Sequence, residues 1–257
     1  MISRRVFAFL GAASVCLSSM SAAQREQARV TEVVRDVRVL PGQGAASAAN
    51  LNDSVTDGSV VHTGAASRVE LTCADFTITR VGANSVFTFD RAGRNVDVES
   101  GAILLRVPKA SGVARIRSSA LIVRTTGTTL MFEFRPRDYA KLIILEGSSQ
   151  AWLSTCPANK IRVHGGQMLV VKSDATRLPE PVDIDLDRLL RTAVLITEFP
   201  PLPSLGLIRD VADNQTKLAG PLLNPFIDPT GMGARDVNAS TQSESKPQRI
   251  PNPGRRP

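Results

Sequence analysis

Between Val30 and Asp174 the chain is a succession of short runs in which apolar and polar side chains alternate, punctuated by Gly, Asn, Asp, Ser or Pro. Thirteen such runs can be read, among them "RVELT", "FTITRV", "SVFTF", "NVDVE", "AILLRV", "LMFEF", "KLIIL" and "MLVV", and they are rich in β-branched and aromatic residues. A period of two sends successive side chains to opposite faces of a strand. Runs of this length between turn formers therefore read as strands. With no amphipathic helix among them, the segment is all-β, and so many short strands favour a solenoid-like or double-layered β stack over a smooth barrel.

After Leu178 the pattern changes. "PEPVDIDLDRLLRTAVLITEF" opens with prolines and acids, and its Leu186, Leu189, Leu190, Ala193, Val194 and Ile196 recur at helical spacing. Asp183 is placed to cap this helix, with Asp185 and Asp187 favourable in its first turn. The simplest role for such a helix is to close one end of the β stack and protect its edge strand, with docking of a partner as the alternative. Ten of the 16 prolines lie between 200 and 257, so residues 200–257 read as a Pro-rich, mostly disordered tail, with a short helix around Leu205 to Val211. The expected organisation is thus a leader over 1–23, a β domain over 24–177, a capping helix region over 178–199 and the tail.

The leader is read from "MISRRVFAFLGAASVCLSSMSAAQ", which has a basic start, an apolar centre of signal-peptide length and a small-residue exit. Arg4 and Arg5 with the following Val-Phe match a twin-arginine export signal, and cleavage after Ala23 fits the small residues at Ser21 and Ala23. Val15 before Cys16 is too bulky for a lipoprotein site. No other run approaches the ~20 apolar residues of a membrane-spanning helix. The expected location is the periplasm or beyond, which removes nucleic acid from the partners. A formal net charge of +7 then points either to bland solubility or to anionic envelope polymers. One Trp and one Tyr are few for a sugar-binding or base-stacking surface.

An ordered set of blocks resembles the FecR domain of bacterial envelope regulators: "DSVTDGSVVHTGAASRVEL", "VGANSVFTF", "VDVESGAILLRVPK", "TTGTTLMFEF", "LIILEGSSQAWL" and "IRVHGGQMLVV", together spanning about residues 30 to 174. Gly58, Thr63, Gly64, Ser67, Asn84, Ser85, Gly101, Gly127, Thr128, Gly147 and Gly166 carry the motif. Thr126 stands where the family usually shows an arginine before Gly-Thr. In the signalling regulators the resemblance implies a cytoplasmic helical segment that controls a sigma factor and a transmembrane helix ahead of the domain. Neither is expected here. The resemblance then implies a non-enzymatic envelope binding module in sensing or envelope assembly, whose partner is an envelope protein or an anionic envelope polymer.

The chemistry-bearing residues agree with a binding module. Cys73 and Cys156 are the two cysteines outside the leader, an even count in an exported chain, and each ends an alternating run, so a disulfide between equivalent turns is expected. His62 and His164 lack a third nitrogen ligand or a carboxylate at metal spacing. No Gly-x-Ser-x-Gly elbow marks a nucleophile, and Ser148-Ser149 reads as a hairpin turn. "GGQ" and "TTGTT" match no phosphate-binding or dinucleotide loop. The reading is therefore no catalytic residue, no metal site and no cofactor, with a polysaccharide-modifying enzyme or a structural cell-surface component as the competing classes.

Overall fold

A computed structural model describes residues 27–42, 44–90 and 94–219. Arg4, Arg5 and Ala23 of the expected export signal, and the tail beyond residue 219, lie outside the described residues. Seventeen strands follow one another: β1 Gln27–Val34, β2 Val37–Leu40, β3 Ser47–Ala48, β4 Ser54–Thr56, β5 Val60–Thr63, β6 Arg68–Cys73, β7 Ile78–Val81, β8 Val86–Asp90 and β9 Asn95–Val107, then β10 Ala114–Arg117, β11 Leu121–Thr125, β12 Thr128–Arg135, β13 Tyr139–Glu146, β14 Ser148–Leu153, β15 Cys156–His164, β16 Gln167–Lys172 and β17 Val182–Asp183. Three helices close the described chain: α1 Leu186–Thr192, α2 Val194–Thr197 and α3 Leu205–Ala219. The all-β class expected from the alternation is the one observed.

The ladders fall into two sheets. One runs β4-β1-β6-β7-β9-β12-β13-β16-β17, antiparallel throughout. The other runs β3-β2-β5-β8-β9-β10-β11-β14-β15, antiparallel except where β9 meets β10. For brevity these are the covered and the open sheet. The chain crosses repeatedly from one to the other, hairpin by hairpin from β10 onward, so the stack is double-layered. Among the described residues only β9 belongs to both. Its residues Asn95–Ser100 pair in the open sheet, and Gly101 onward pairs in the covered sheet.

The main core lies between the layers. Val69, Ile103, Phe132 and Leu142 of the covered sheet join Val61, Phe87, Val96 and Val123 of the open sheet in one buried cluster. Every second residue of the covered sheet faces the other way. Across β9, β12, β13 and β16, Leu104, Met131, Ile143 and Met168 stand in one cross-strand row, and they form a second cluster with Leu189, Leu195, Phe199, Leu202 and Ile208 from the helices. This two-sided burial explains the near-continuous apolar runs of β12 and β13.

The helical segment thus covers a face. The expected edge protection is supplied mainly by β17, which pairs Gln167 with Asp183 and Met168 with Val182. Because Asp183 is committed to that pairing, the cap of α1 is Asp185, whose carboxylate accepts the Arg188 backbone N–H at 2.9 Å. The expected single helix is broken at Ala193, an extended residue with ψ 117. Residues 205–219, assigned by composition to the tail, form α3: Ile208 and Ala212 reach the outer apolar cluster, and the Gln215 side chain donates to Gly166 O at 2.9 Å. The short helix expected around Leu205 to Val211 is thus present and runs on to Ala219.

One buried charge ties the helices to the sheet. Arg80, 1% exposed, extends the apolar row toward β6, donates Nε to Glu70 at 2.7 Å, and donates its other nitrogens to the carbonyls of Leu195 and Pro200. Its guanidinium also lies 4.9 Å from the centre of the Phe199 ring. Burial lowers the Arg80 pKa, and the hydrogen bond and charge of Glu70 oppose that shift.

Two stability predictions follow from these contacts. A Cβ at Gly101, where φ is +97, would overlap the Cβ and Cα of Ser85, so Gly101→Ala is expected to cost about 3 kcal/mol or more in urea unfolding. Glu70→Ala leaves a buried cation without its carboxylate and should cost roughly 3–5 kcal/mol. The double change Glu70→Leu with Arg80→Met should recover most of that loss; failure to recover it would show that the carbonyl contacts matter more than the charge pair.

Candidate functional site

The motif residues build the joint between the layers. Thr63 Oγ1 donates to Gly82 O at 2.6 Å and accepts the Ser85 N–H at 3.0 Å. Ser85 Oγ accepts the Ala102 N–H at 3.1 Å, directly beside the Gly101 bend. Asn84 turns the chain with φ 51, and its N–H donates to Gly64 O. Ser67 Oγ accepts the Asp36 N–H at 3.1 Å. Gly58, Gly147 and Gly166 occupy turns at positive φ, and Gly127 does so ahead of Thr128, whose Oγ1 donates to Thr126 O and Ser148 O. These side chains hold backbone to backbone and leave little for a ligand.

The cysteines and histidines do not converge. Cys73 ends β6 in the covered sheet, two strands from β9. Cys156 begins β15 in the open sheet, four strands from β9. They share no ladder, and the expected disulfide is absent, because a bond requires Cα atoms within about 7 Å. Similar local settings in sequence fell on opposite layers. His62 lies exposed on β5 opposite Arg38 and Val86, whereas His164 ends β15 opposite Ser148. Among the described residues no three His, Cys, Asp or Glu side chains gather as a metal site would require.

A titratable cluster does exist on the covered sheet. Glu133, 2% exposed, accepts from Lys141 Nζ at 2.9 Å, Arg135 Nε at 2.8 Å and Tyr139 Oη at 2.9 Å. Each of its partners is a donor and its charge is compensated, which is the arrangement of a structural network rather than of a poised acid. Burial pushes the Tyr139 pKa far above its ordinary 10.0, and the charge and hydrogen bond of Glu133 add to the shift.

Among the described residues no helix forms a cluster with the outer face of the open sheet, and here the pleat sorts charge. Arg115, Arg124, Gln150 and Arg162 stand side by side across β10, β11, β14 and β15. The adjacent row holds Arg117, Ile122, Trp152 and Lys160. Arg117 is neutralised by a two-pronged pair with Asp97 at 2.8 and 2.6 Å, and the Lys160 ammonium lies 5.0 Å from the Trp152 ring. Arg115, Arg124 and Arg162 are exposed and form no ion pair among the described residues. Like charges directly opposite on neighbouring strands oppose folding.

Between Arg124 and Arg162 the surface dips into a depression of about 190 Å³ lined also by Thr126, Ser148 and Gln150. Its floor is fixed from below: Ser149 Oγ donates to Thr125 Oγ1 at 2.8 Å, and the hydroxyls of Thr125 and Thr128 donate to Ser148 O. The side chains of Thr126, Ser148 and Gln150 keep their hydrogen-bonding groups uncommitted among the described residues. A larger groove of about 480 Å³ runs between the three helices, but its rim balances Asp187 and Asp213 against Arg191 and Arg209. Of the two, the depression alone has a marked charge preference.

Sequence reading missed this row. The signal was present as arginines at outward positions in "ARIR", "LIVRT" and "KIRVH", but only the register of three hairpins places them side by side.

Residues 59–150 match the family described as FecR protein, a span from β5 through the start of β14. The match thus places a FecR domain over residues 59–150. Two crystal structures of a candidate anti-sigma factor from Parabacteroides distasonis ATCC 8503, at 1.65 and 2.50 Å resolution, are similar to it at 14% and 12% identity, with TM-scores of 0.44 and 0.43. Each similarity covers 52% of this chain and 64% of that one, so the match spans just under two thirds of the solved protein. No curated protein matches the chain. Among the described residues no helix is long and apolar enough to cross a membrane.

Tyr139 is the single tyrosine of the chain, so phenolate absorbance reports it alone. In the folded protein it should resist ionisation well past pH 10 and return to near its ordinary value in denaturant. A phenol whose pKa is raised by folding contributes stability that is complete below the unfolded value and is lost as pH rises toward the folded one. Stability should therefore fall above pH 10 by more than in Tyr139→Phe, measured by urea titration at pH 9 and about pH 11.

Proposed function

We propose that this FecR-domain protein is a non-enzymatic recognition module that works outside the cytoplasm, in sensing or envelope assembly. The observation that carries the reading is the asymmetry of the β stack. One outer face is sealed by the protein's own helices through Arg80 and the Leu104 row, and the other is open, largely polar and basic over β10, β11, β14 and β15. A partner meets the open face. The buried Glu133 carboxylate is spent on Arg135, Tyr139 and Lys141 of its own sheet, which suits a scaffold. The basic, small-residue leader read from Arg4, Arg5 and Ala23 supports export, and a cell-envelope component is then the natural partner. The described residues are those of a domain that presents a surface, which agrees with a regulatory role of the kind FecR domains serve.

Co-sedimentation tests this reading. The purified protein should pellet with outer-membrane vesicles or with peptidoglycan sacculi at moderate salt, where exposed charges act over only about 8–10 Å. Binding confined to low salt, or to neither preparation, would overturn it.

A further inference from the structure

We propose that the depression between Arg124 and Arg162 binds a phosphate group carried on an extended anionic polymer, with Arg115 engaging the next anionic group along the row. This deepens the recognition reading above and rests on it for its biological setting, but the chemistry stands on the site itself.

Four observations lead to it. Arg124 and Arg162 flank β14 at two strand spacings, roughly 10 Å between backbones, and their long side chains can converge on one group above Gln150. The groups around the depression are two guanidiniums, four hydroxyls, of which those of Thr126 and Ser148 are uncommitted, and an amide, with no carboxylate among them, so an anion meets donors from each side. A phosphoryl unit within a polymer offers two terminal and two bridging oxygens in a tetrahedral array to such divergent donors, whereas a carboxylate offers two oxygens in one plane. Guanidinium forks are also suited to phosphate oxygens.

The floor is held in place before any ligand arrives, because Thr125, Ser149 and Thr128 are spent on the Ser148 carbonyl and on one another. A preformed site loses less conformational freedom on binding. Finally, Arg115 and Arg124 stand directly opposite each other without a carboxylate between them, while Arg117 two residues away has its Asp97. An uncompensated pair opposes folding, and a bound anion would relieve it. The row runs across the strands, so successive anionic groups on one polymer can be met by successive residues.

The experiment measures binding of medium-chain inorganic polyphosphate, inorganic phosphate and polyglutamate to the purified protein at moderate salt. Three proteins are compared: wild type, Arg124→Gln with Arg162→Gln, and a charge-matched control, Arg29→Gln with Arg177→Gln, at exposed positions away from this face. Circular dichroism checks that all three fold. The expected result is that wild type and control retain polyphosphate, bind inorganic phosphate more weakly, and bind polyglutamate weakly. The site variant should lose roughly tenfold in affinity for each guanidinium. No retention by wild type, or equal weakening in both variants, would reduce the row to general basicity and overturn the proposal. Polyglutamate bound as tightly as polyphosphate would overturn the phosphate assignment in favour of an acidic protein segment. If the site variant still pellets with envelope fractions, this inference fails and the recognition reading survives; if polyphosphate binds as expected while wild type ignores the envelope, the reverse holds.

Discussion

Strand β9 is the constraint on which the rest of the molecule depends. Among the described residues it is the one strand that pairs in both layers, and it does so by turning at Gly101, where a side chain would collide with Ser85. A two-layered sheet needs its interior side chains to alternate correctly on both sides of any such crossing, since a slip of one residue would turn every side chain to the wrong face. The polar joint of Thr63, Ser67, Asn84 and Ser85 fixes that register from the neighbouring turns. Family motif and fold joint are therefore the same residues. A motif of this kind marks the scaffold, and the binding surface has to be sought elsewhere.

Burial of one outer face leads to the second property. Rows of apolar side chains on the covered sheet would leave an unfavourable exposed patch if α1, α2 and α3 were not laid over them. The helices must then be held in register against a surface with little directional preference of its own. Arg80 provides the direction, since its guanidinium has fixed donors and reaches two carbonyls on the α2 side of the cover. Arg68 adds a second tie through Glu198 at 2.8 Å. The open sheet needs no such cover because its outward positions are mainly polar.

Alternation in sequence made the fold class legible, and the long apolar runs in β12 and β13 carried a further message, that both faces of those strands are buried. What could not be read was which elements meet. "VELTC" and "AWLSTC" look equivalent as strings, yet Cys73 and Cys156 sit on different layers because the chain crosses repeatedly between the sheets. Asp183 looked like a helix cap until its strand pairing moved that role to Asp185. The arginine row was hidden for the same reason: alternation tells which way each side chain faces, while lateral neighbours depend on hairpin register. Proline content pointed to a mostly disordered tail over residues 200–257 with a short helix around Leu205 to Val211, and the interval between Pro203 and Pro221 leaves room for the full 15 residues of α3.

The grip of Arg80 on the helical cover has an evolutionary corollary. Two of its contacts are to main-chain oxygens, of Leu195 and Pro200, and every amino acid presents the same oxygen. Substitutions at those two positions can accumulate without removing an acceptor, provided the local path of the chain is kept. Selection should therefore act on Arg80 and Glu70 as a pair and on the shape of the connecting loop, while the letters along the loop drift. Relatives that share this clamp would be better recognised by an arginine and a glutamate facing each other on adjacent strands than by any similarity in the helices they hold.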